Sequence, residues 1–255
     1  MKLGLYQGPP IQGDVEEGFA RIAQQLDAAA RAGARMALFP ELFLPGYNQP
    51  ALHASQSQPL GGDWYARLSA LARDTGCGLT IGWAERDGDA VYNAATAFDP
   101  QGQVLGHYRK IQLFGPMEKA SFAFGGSYTT FDFENIKCAL LICYDVEFSH
   151  HVRALATRGV KLILVPTANP AGFENVSFRT VPAQAYEQAV TIAYANFFGT
   201  EGGLTYGGHS VIAAPDGNLS ALAHTSETLI VTDIGHDIDS GLLSTQAVDY
   251  REIPK

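Results

Sequence analysis

Two strand-like runs joined by a helix set the first constraint on this chain. Residues 3–7 read as a short apolar strand, and "RMALFPE" reads as a second, buried one ending at Pro40. Between them, Val15, Phe19, Ile22, Leu26 and Ala30 recur at helical spacing, with Asp14 placed to cap the start and Gly33 to stop the end. A strand–helix–strand unit of this length demands a parallel pair with a crossover helix, and so an α/β fold. The pattern recurs. Asp63 is placed to cap a helix through Leu68, Leu71 and Ala72, Gly76 stops it, and "GLTIGWAE" follows as a strand.

Hairpins interrupt these units. "VYNAATAFD" and "VLGHYRK" flank the turn "PQGQ", and "HSVIAAPDGNLSALA" folds back around "PDGN". Between the hairpins, "IKCALLIC", "KLILVP" and "VTIAYANFF" read as strands, "HHVRALATRG" and "VPAQAYEQA" as helices, and "TLIVTDI" as a late strand. Roughly ten strands and four or more helices then give a mixed sheet, or two sheets packed together with helices outside. No linker divides the 255 residues, which read as a single domain, 1–255, with a polar C-terminal tail from about 240 that packs on a partner subunit.

Composition narrows the class. Hydrophobic residues make up 46% and charged residues 17%, a globular balance. The net charge of -9, with no basic cluster, argues against nucleic acid as a partner. No apolar run reaches the ~18 residues of a membrane span. Cys77, Cys138 and Cys143 form no CxxC pair, which argues against a zinc cluster or a disulfide framework and for a reducing, cytoplasmic location. No histidine spacing suits a metal, and no glycine-rich phosphate loop precedes a helix, so neither a metal nor an organic cofactor is expected.

Three strand ends carry reactive groups: Glu41 in "ALFPELFLPGYN", Lys110 in "HYRKIQLFGPMEKASF" and Cys143 in "LLICYDVEF". Singly, each has an ordinary explanation as a surface charge or a small core residue. Gathered in one mouth, a carboxylate would take the thiol proton, the thiolate would attack, and the ammonium would bind the oxyanion.

In this order and with these flanks, the three segments resemble the nitrilase superfamily of carbon–nitrogen hydrolases, through "FPELFLPGY", "YRKIQLFG" and "ICYDVEF". "VYNAATAFDPQGQVLGHYRK", "GVKLILVPTANP", "YANFFG" and "GGHSVIAAPDGN" extend the likeness over about residues 2–235. The resemblance implies a four-layer αββα sandwich with two mixed β-sheets, assembled as a homodimer or higher homo-oligomer. It gives Glu41 the role of general base, Lys110 that of oxyanion stabiliser and Cys143 that of nucleophile, with Glu118 as a second glutamate positioning substrate and water. The ammonium beside the thiol is expected to lower its pKa, and the Tyr144 N–H to join Lys110 in the oxyanion site. Tyr47, Phe114, Tyr144, Glu147, Asn169 and Phe173 are candidates to line the substrate pocket, Asn169 either facing it or fixing its own turn. Asp145 is assigned to holding the turn or capping the next helix.

"KIQLFGPME", "ICYDVEF" and "PTAN…YAN" most resemble small bacterial amidases, including those called R-stereoselective. The expected reaction is therefore hydrolysis of a small carboxamide to a carboxylic acid and ammonia through a cysteine thioester. A nitrile or an N-carbamoyl amino acid on the same triad is the alternative, the latter needing a cation such as Arg153 or Arg179. A non-catalytic binding domain ranks below both, since Glu41, Lys110 and Cys143 are all present.

Overall fold

The computed structural model describes residues 1–235, 238–251 and 253. One sheet holds β1 (Lys2–Gln7), β2 (Met36–Leu38), β3 (Gly78–Asp87), β4 (Ala90–Phe98) and β5 (Val104–Arg109). The other holds β6 (Thr129–Phe133), β7 (Ile136–Leu140), β8 (Leu162–Pro166) and β9 (Thr191–Ala195). A separate hairpin, β10 (Phe198–Glu201) and β11 (Leu204–Gly207), precedes β12 (Val211–Ala213) and β13 (Leu219–Leu222) of the second sheet. The last strand, β14 (Thr228–Asp233), returns to the first sheet, giving two six-stranded sheets ordered β14-β1-β2-β3-β4-β5 and β13-β12-β9-β8-β7-β6. Both are mixed: β1–β2–β3 and β7–β8–β9 run parallel, and the remaining pairs antiparallel.

Side-chain alternation builds the layers. On β1 and β2, Leu3, Leu5, Met36 and Leu38 point to the inter-sheet core, where they share a cluster with Ala139, Ile163 and Ile192 of the second sheet. Tyr6 and Ala37 point the other way, toward Ile22, Leu26 and Ala29 of α1 (Val15–Arg31) and Leu68 and Ala72 of α3 (Asp63–Thr75). α2 (Pro50–Gln56) and α4 (Gly115–Ser121) lie beside this layer. Outside the second sheet, α5 (Ser149–Ala156) and α6 (Val181–Gln188) close the stack with Val152, Leu155, Val181 and Ala185. The result is the αββα sandwich, and β4–β5 and β12–β13 are the two hairpins read from the sequence.

Several boundaries differ from expectation. β2 stops at Leu38, although the Phe39 N–H still donates to Thr80 O at 2.8 Å. Asp14 does cap α1, accepting the Glu17 N–H at 3.0 Å, but the cap of α3 is Gly62 and Asp63 is its first residue. There the carboxylate still faces the positive end of the helix dipole. "VTIAYANFF" is two strands, broken at Asn196, whose side chain bonds the neighbouring loops. The tail contains a short helix, α7 (Gln246–Asp249), and exposes Leu242, Val248, Tyr250 and Ile253; residues 236, 237, 252, 254 and 255 lie outside the description.

Candidate active site

Four strand ends converge on one buried cluster. After β2, the chain runs along β3, with Gly82 N–H donating to Pro40 O at 3.2 Å and Phe43 N–H to Gly82 O at 2.8 Å, and this sets Glu41 inward. After β5, Lys110 N–H donates to Asn93 O of β4 at 2.8 Å. After β7, Ile142 leads into a 3₁₀ turn, Cys143–Glu147, and after β8 come Thr167 and Ala168. Convergence at strand carboxyl ends is where open α/β sheets assemble their sites.

Lys110 is the hub. Its Nζ donates to Glu41 Oε1 at 2.6 Å and to Glu118 Oε1 at 2.7 Å, and all three side chains are removed from solvent. Asn93 Nδ2 adds a bond to Glu41 Oε1 at 2.7 Å. Glu41 Oε2, by contrast, is buried and accepts no hydrogen bond from the described residues, which leaves it able to take a proton. Glu118 is fixed at both oxygens: Tyr47 OH donates to Oε1 at 2.8 Å and the Phe114 N–H to Oε2 at 3.0 Å.

Electrostatics follow from burying two carboxylates with one ammonium. Burial pushes Glu41 up to about 7, Lys110 opposes this, and the Glu118 charge adds to it. Burial alone would pull Lys110 down, but Glu41 and Glu118 more than offset it and hold the ammonium charged. The Cys143 thiol is raised, by burial first and then by the Glu41 charge, against Lys110, the Thr167 hydroxyl and the Ala168 backbone. Lys110 does pull the thiol down, as expected, but burial and the Glu41 charge outweigh it, so the net shift is upward.

Cys143 sits at φ 45°, in the left-handed region that a non-glycine residue occupies at a cost of roughly 1–2 kcal/mol. Asp145 holds this turn. Its Oδ2 accepts the Ile142 N–H at 3.0 Å and the Tyr108 OH at 2.8 Å, and its Oδ1 accepts the Gln112 N–H at 2.7 Å. These bonds tie the cysteine turn to the segment that follows Lys110.

The pocket candidates divide. Phe114 stands edge-on to Tyr144 at 5.2 Å and to Phe173 at 6.1 Å, forming an aromatic group beside the cluster. Glu147 is half-buried, and burial raises its pKa against the pull of Lys110. Tyr47 is engaged with Glu118, and Asn169 fixes its own loop, its Nδ2 donating to Phe173 O at 2.9 Å. Arg153 stacks its guanidinium on the Tyr250 ring at 3.7 Å, and Arg179 is exposed. Reading the sequence missed Asn93 and Thr167. Asn93 carried a signal, an amide within an otherwise apolar and small-residue strand, "VYNAATAF".

The carbon-nitrogen hydrolase family pattern matches residues 2–240. A nitrilase from Pyrococcus abyssi is 33% identical, over 92% of this chain and 89% of the relative. An (R)-stereoselective amidase from Pseudomonas sp. is 28% identical, over 98% and 90%. Among solved structures, a variant of the amidase from Nesterenkonia sp. AN1, carrying the product of Michael addition of acrylamide at its active site cysteine, superposes with a TM-score of 0.90. It is 34% identical and covers 98% of this chain and 96% of that one.

Proposed function

The chain belongs to the carbon–nitrogen hydrolase family, and from that premise we propose that it hydrolyses small linear carboxamides to a carboxylic acid and ammonia, with Cys143 as nucleophile. One observation carries the reading: the buried Glu41–Lys110–Glu118 cluster leaves one carboxylate oxygen, Glu41 Oε2, without a partner among the described residues and in the electrostatic field of the Cys143 thiol.

Because the thiol is held protonated at rest, the first step is a coupled one. Sγ attacks the amide carbon as its proton passes to Glu41 Oε2. The oxyanion that forms is bound by the Lys110 ammonium and the Tyr144 N–H. Glu41 then delivers its proton to the amide nitrogen, the C–N bond breaks, and ammonia leaves a thioester on Cys143. Water loses a proton to Glu41, attacks the thioester carbonyl and releases the acid, and the proton returns to sulfur. Glu118 holds Lys110 and orients substrate and water. Phe114, Tyr144 and Phe173 enclose the acyl group, Glu147 faces its edge, and Tyr47 and Asn169 keep the walls in place.

A nitrile substrate is the second reading, favoured by the likeness to the Pyrococcus abyssi nitrilase. An N-carbamoyl amino acid fits less well, since Arg153 is occupied by Tyr250 and Arg179 is exposed to solvent. The same proposal takes residues 1–255 as one hydrolase domain, active in the cytoplasm as a homodimer or larger homo-oligomer. The test is ammonia release from a panel of small amides, nitriles and carbamoyl amino acids, with wild type beside Cys143→Ala. Release from carboxamides that vanishes in the variant is expected. Cys143-dependent release from nitriles or ureido compounds alone would overturn the substrate class. No Cys143-dependent release from any of them would overturn the hydrolase reading in favour of a binding role.

A further inference from the structure

Glu201 is a fully buried carboxylate that the reaction above does not use. It lies at the end of β10, far in sequence from every reactive group. Its Oε2 accepts the Asn48 N–H at 2.7 Å and the Tyr206 OH at 2.8 Å, while its Oε1 has no hydrogen-bond partner among the described residues. Asn48 reciprocates, its Nδ2 donating to Glu201 O at 2.9 Å and to Gly202 O at 3.1 Å. The other face of the same segment is held by His53, whose Nε2 lies 3.1 Å from Gly46 O. Gly46 has φ 125°, and a Cβ there would collide with Glu201 Oε1, so the carboxylate presses directly on the backbone.

The segment gripped in this way, Gly46–Tyr47–Asn48, carries one functional contact: Tyr47 OH donates to Glu118 Oε1, the oxygen that also accepts Lys110 Nζ. The Tyr206 ring stands edge-on to Tyr47 at 6.3 Å, closing the remaining side. We propose that Glu201 is a positioning residue that acts through Tyr47, using its bonds to Asn48 and Tyr206 to hold the Tyr47 hydroxyl on Glu118 and thereby the Glu118–Lys110–Glu41 geometry.

The inference rests on the amidase reading. Desolvating a carboxylate is a costly way to pin a loop, unless the loop must be pinned closely. Displacement of a reacting or orienting group by about 1 Å is enough to cost on the order of a hundredfold in rate. A role confined to stability would lower the melting temperature and leave the turnover of the folded enzyme unchanged.

The experiment is a double-mutant cycle on the amide turned over fastest in the panel above. Glu201→Ala and Tyr47→Phe are each expected to lower kcat about tenfold with KM within about threefold. The double variant should fall no more than about threefold below the worse single, because both changes break one pathway. Glu201→Gln should stay within about threefold of wild type, since its amide oxygen accepts both bonds and its NH₂ takes the place of the unpartnered Oε1. If Glu201→Ala does not fold, Tyr206→Phe, which removes one donor from Glu201, replaces it: a drop in kcat that disappears in the Tyr47→Phe background is expected. Multiplying losses, an unchanged kcat in folded Glu201→Ala, or a Gln variant as poor as Ala would overturn the inference. Failure of the hydrolase reading would have appeared earlier and separately, as wild-type turnover indifferent to Cys143→Ala.

Discussion

A single ammonium cannot neutralise two carboxylates and a thiolate in the same dry cavity, and this decides how the residues share protons. With Glu41 raised to about 7 and Cys143 raised as well, the resting pair is carboxylate and thiol, and the base must be ionised to work. The sign follows directly. Below pH 7 Glu41 holds its proton and has nothing to accept with; above it the acceptor is available. The kcat/KM of the fastest amide should therefore rise with pH through an inflection near 7, the value set for Glu41. Glu41→Gln should lower it by roughly 10²–10⁴, the usual worth of a general base, and remove that inflection; a wild-type profile flat from pH 6 to 8 would show that Glu41 is not the base. The same pair predicts selective alkylation. Cys77 and Cys138 are buried thiols, each pushed up to about 12, chiefly by burial, and neither lies in the Glu41–Lys110 cluster. Iodoacetamide, followed by peptide mass mapping, should modify Cys143 first in wild type and much more slowly in Glu41→Gln. Equal, slow labelling of all three would make Cys143 an inert core residue.

At the scale of elements, the site depends on how closely the strand-end turns approach each other. Gly82 of β3 lies under the Glu41 turn, and a Cβ there would sit 2.5 Å from Leu42 N and 2.6 Å from Glu41 Cα. Gly82→Ala should thus cost about 1–3 kcal/mol, the range for overpacking, and lower kcat at least tenfold by displacing Glu41. The turn after β7 makes a second test. Asp145→Ala strands three donors, the Ile142 and Gln112 N–H groups and the Tyr108 OH. At ~1 kcal/mol or more for each unsatisfied buried group, urea unfolding should show a loss of roughly 3 kcal/mol or more; a loss below ~1 kcal/mol would mean the turn holds itself. These approaches mark the limit of what the sequence disclosed. The first strand–helix–strand unit was legible because Asp14, the helical spacing and Gly33 all agree, and Glu41, Lys110, Glu118 and Cys143 were legible through their flanks. The β10–β11 hairpin, in "FGTEGGLTYG", was not, since its mixture of glycine and polar residues has no alternation to read. With it went the link from Glu201 to Tyr47, which exists only once that hairpin folds against the loop after β2. The net direction of the Cys143 shift was hidden for a related reason: the burial that outweighs the ammonium arises only in three dimensions.

For the whole molecule, the decisive surface is the one that covers α5 and α6. The C-terminal segment was read as polar, yet it leaves Leu242 64%, Val248 87% and Tyr250 57% exposed. Tyr250 returns to α5 to receive the Arg153 guanidinium, and with Ser149, His150 and Glu187 it borders a cleft of about 730 Å³. An 87%-exposed valine leaves unrealised most of the ~1.5–3 kcal/mol that burying such a side chain supplies. A second copy related by a twofold axis would bring the same apolar residues against the same cleft, an isologous contact that closes on itself. The proposed homodimer would use this face, and light scattering on the eluting peak should give twice the chain mass for the full protein. Deletion of residues 244–255 should give a folded species of half that mass, with its circular dichroism retained. A full-length monomer would remove the dimer, and a deletion variant that stays dimeric would move the interface away from the tail. Since the 3₁₀ turn carrying Cys143 leads directly into α5, loss of the partner should also weaken the turn. The monomeric deletion variant is accordingly expected to retain KM within a few-fold and to lose kcat, a split that a tail remote from the site would not produce.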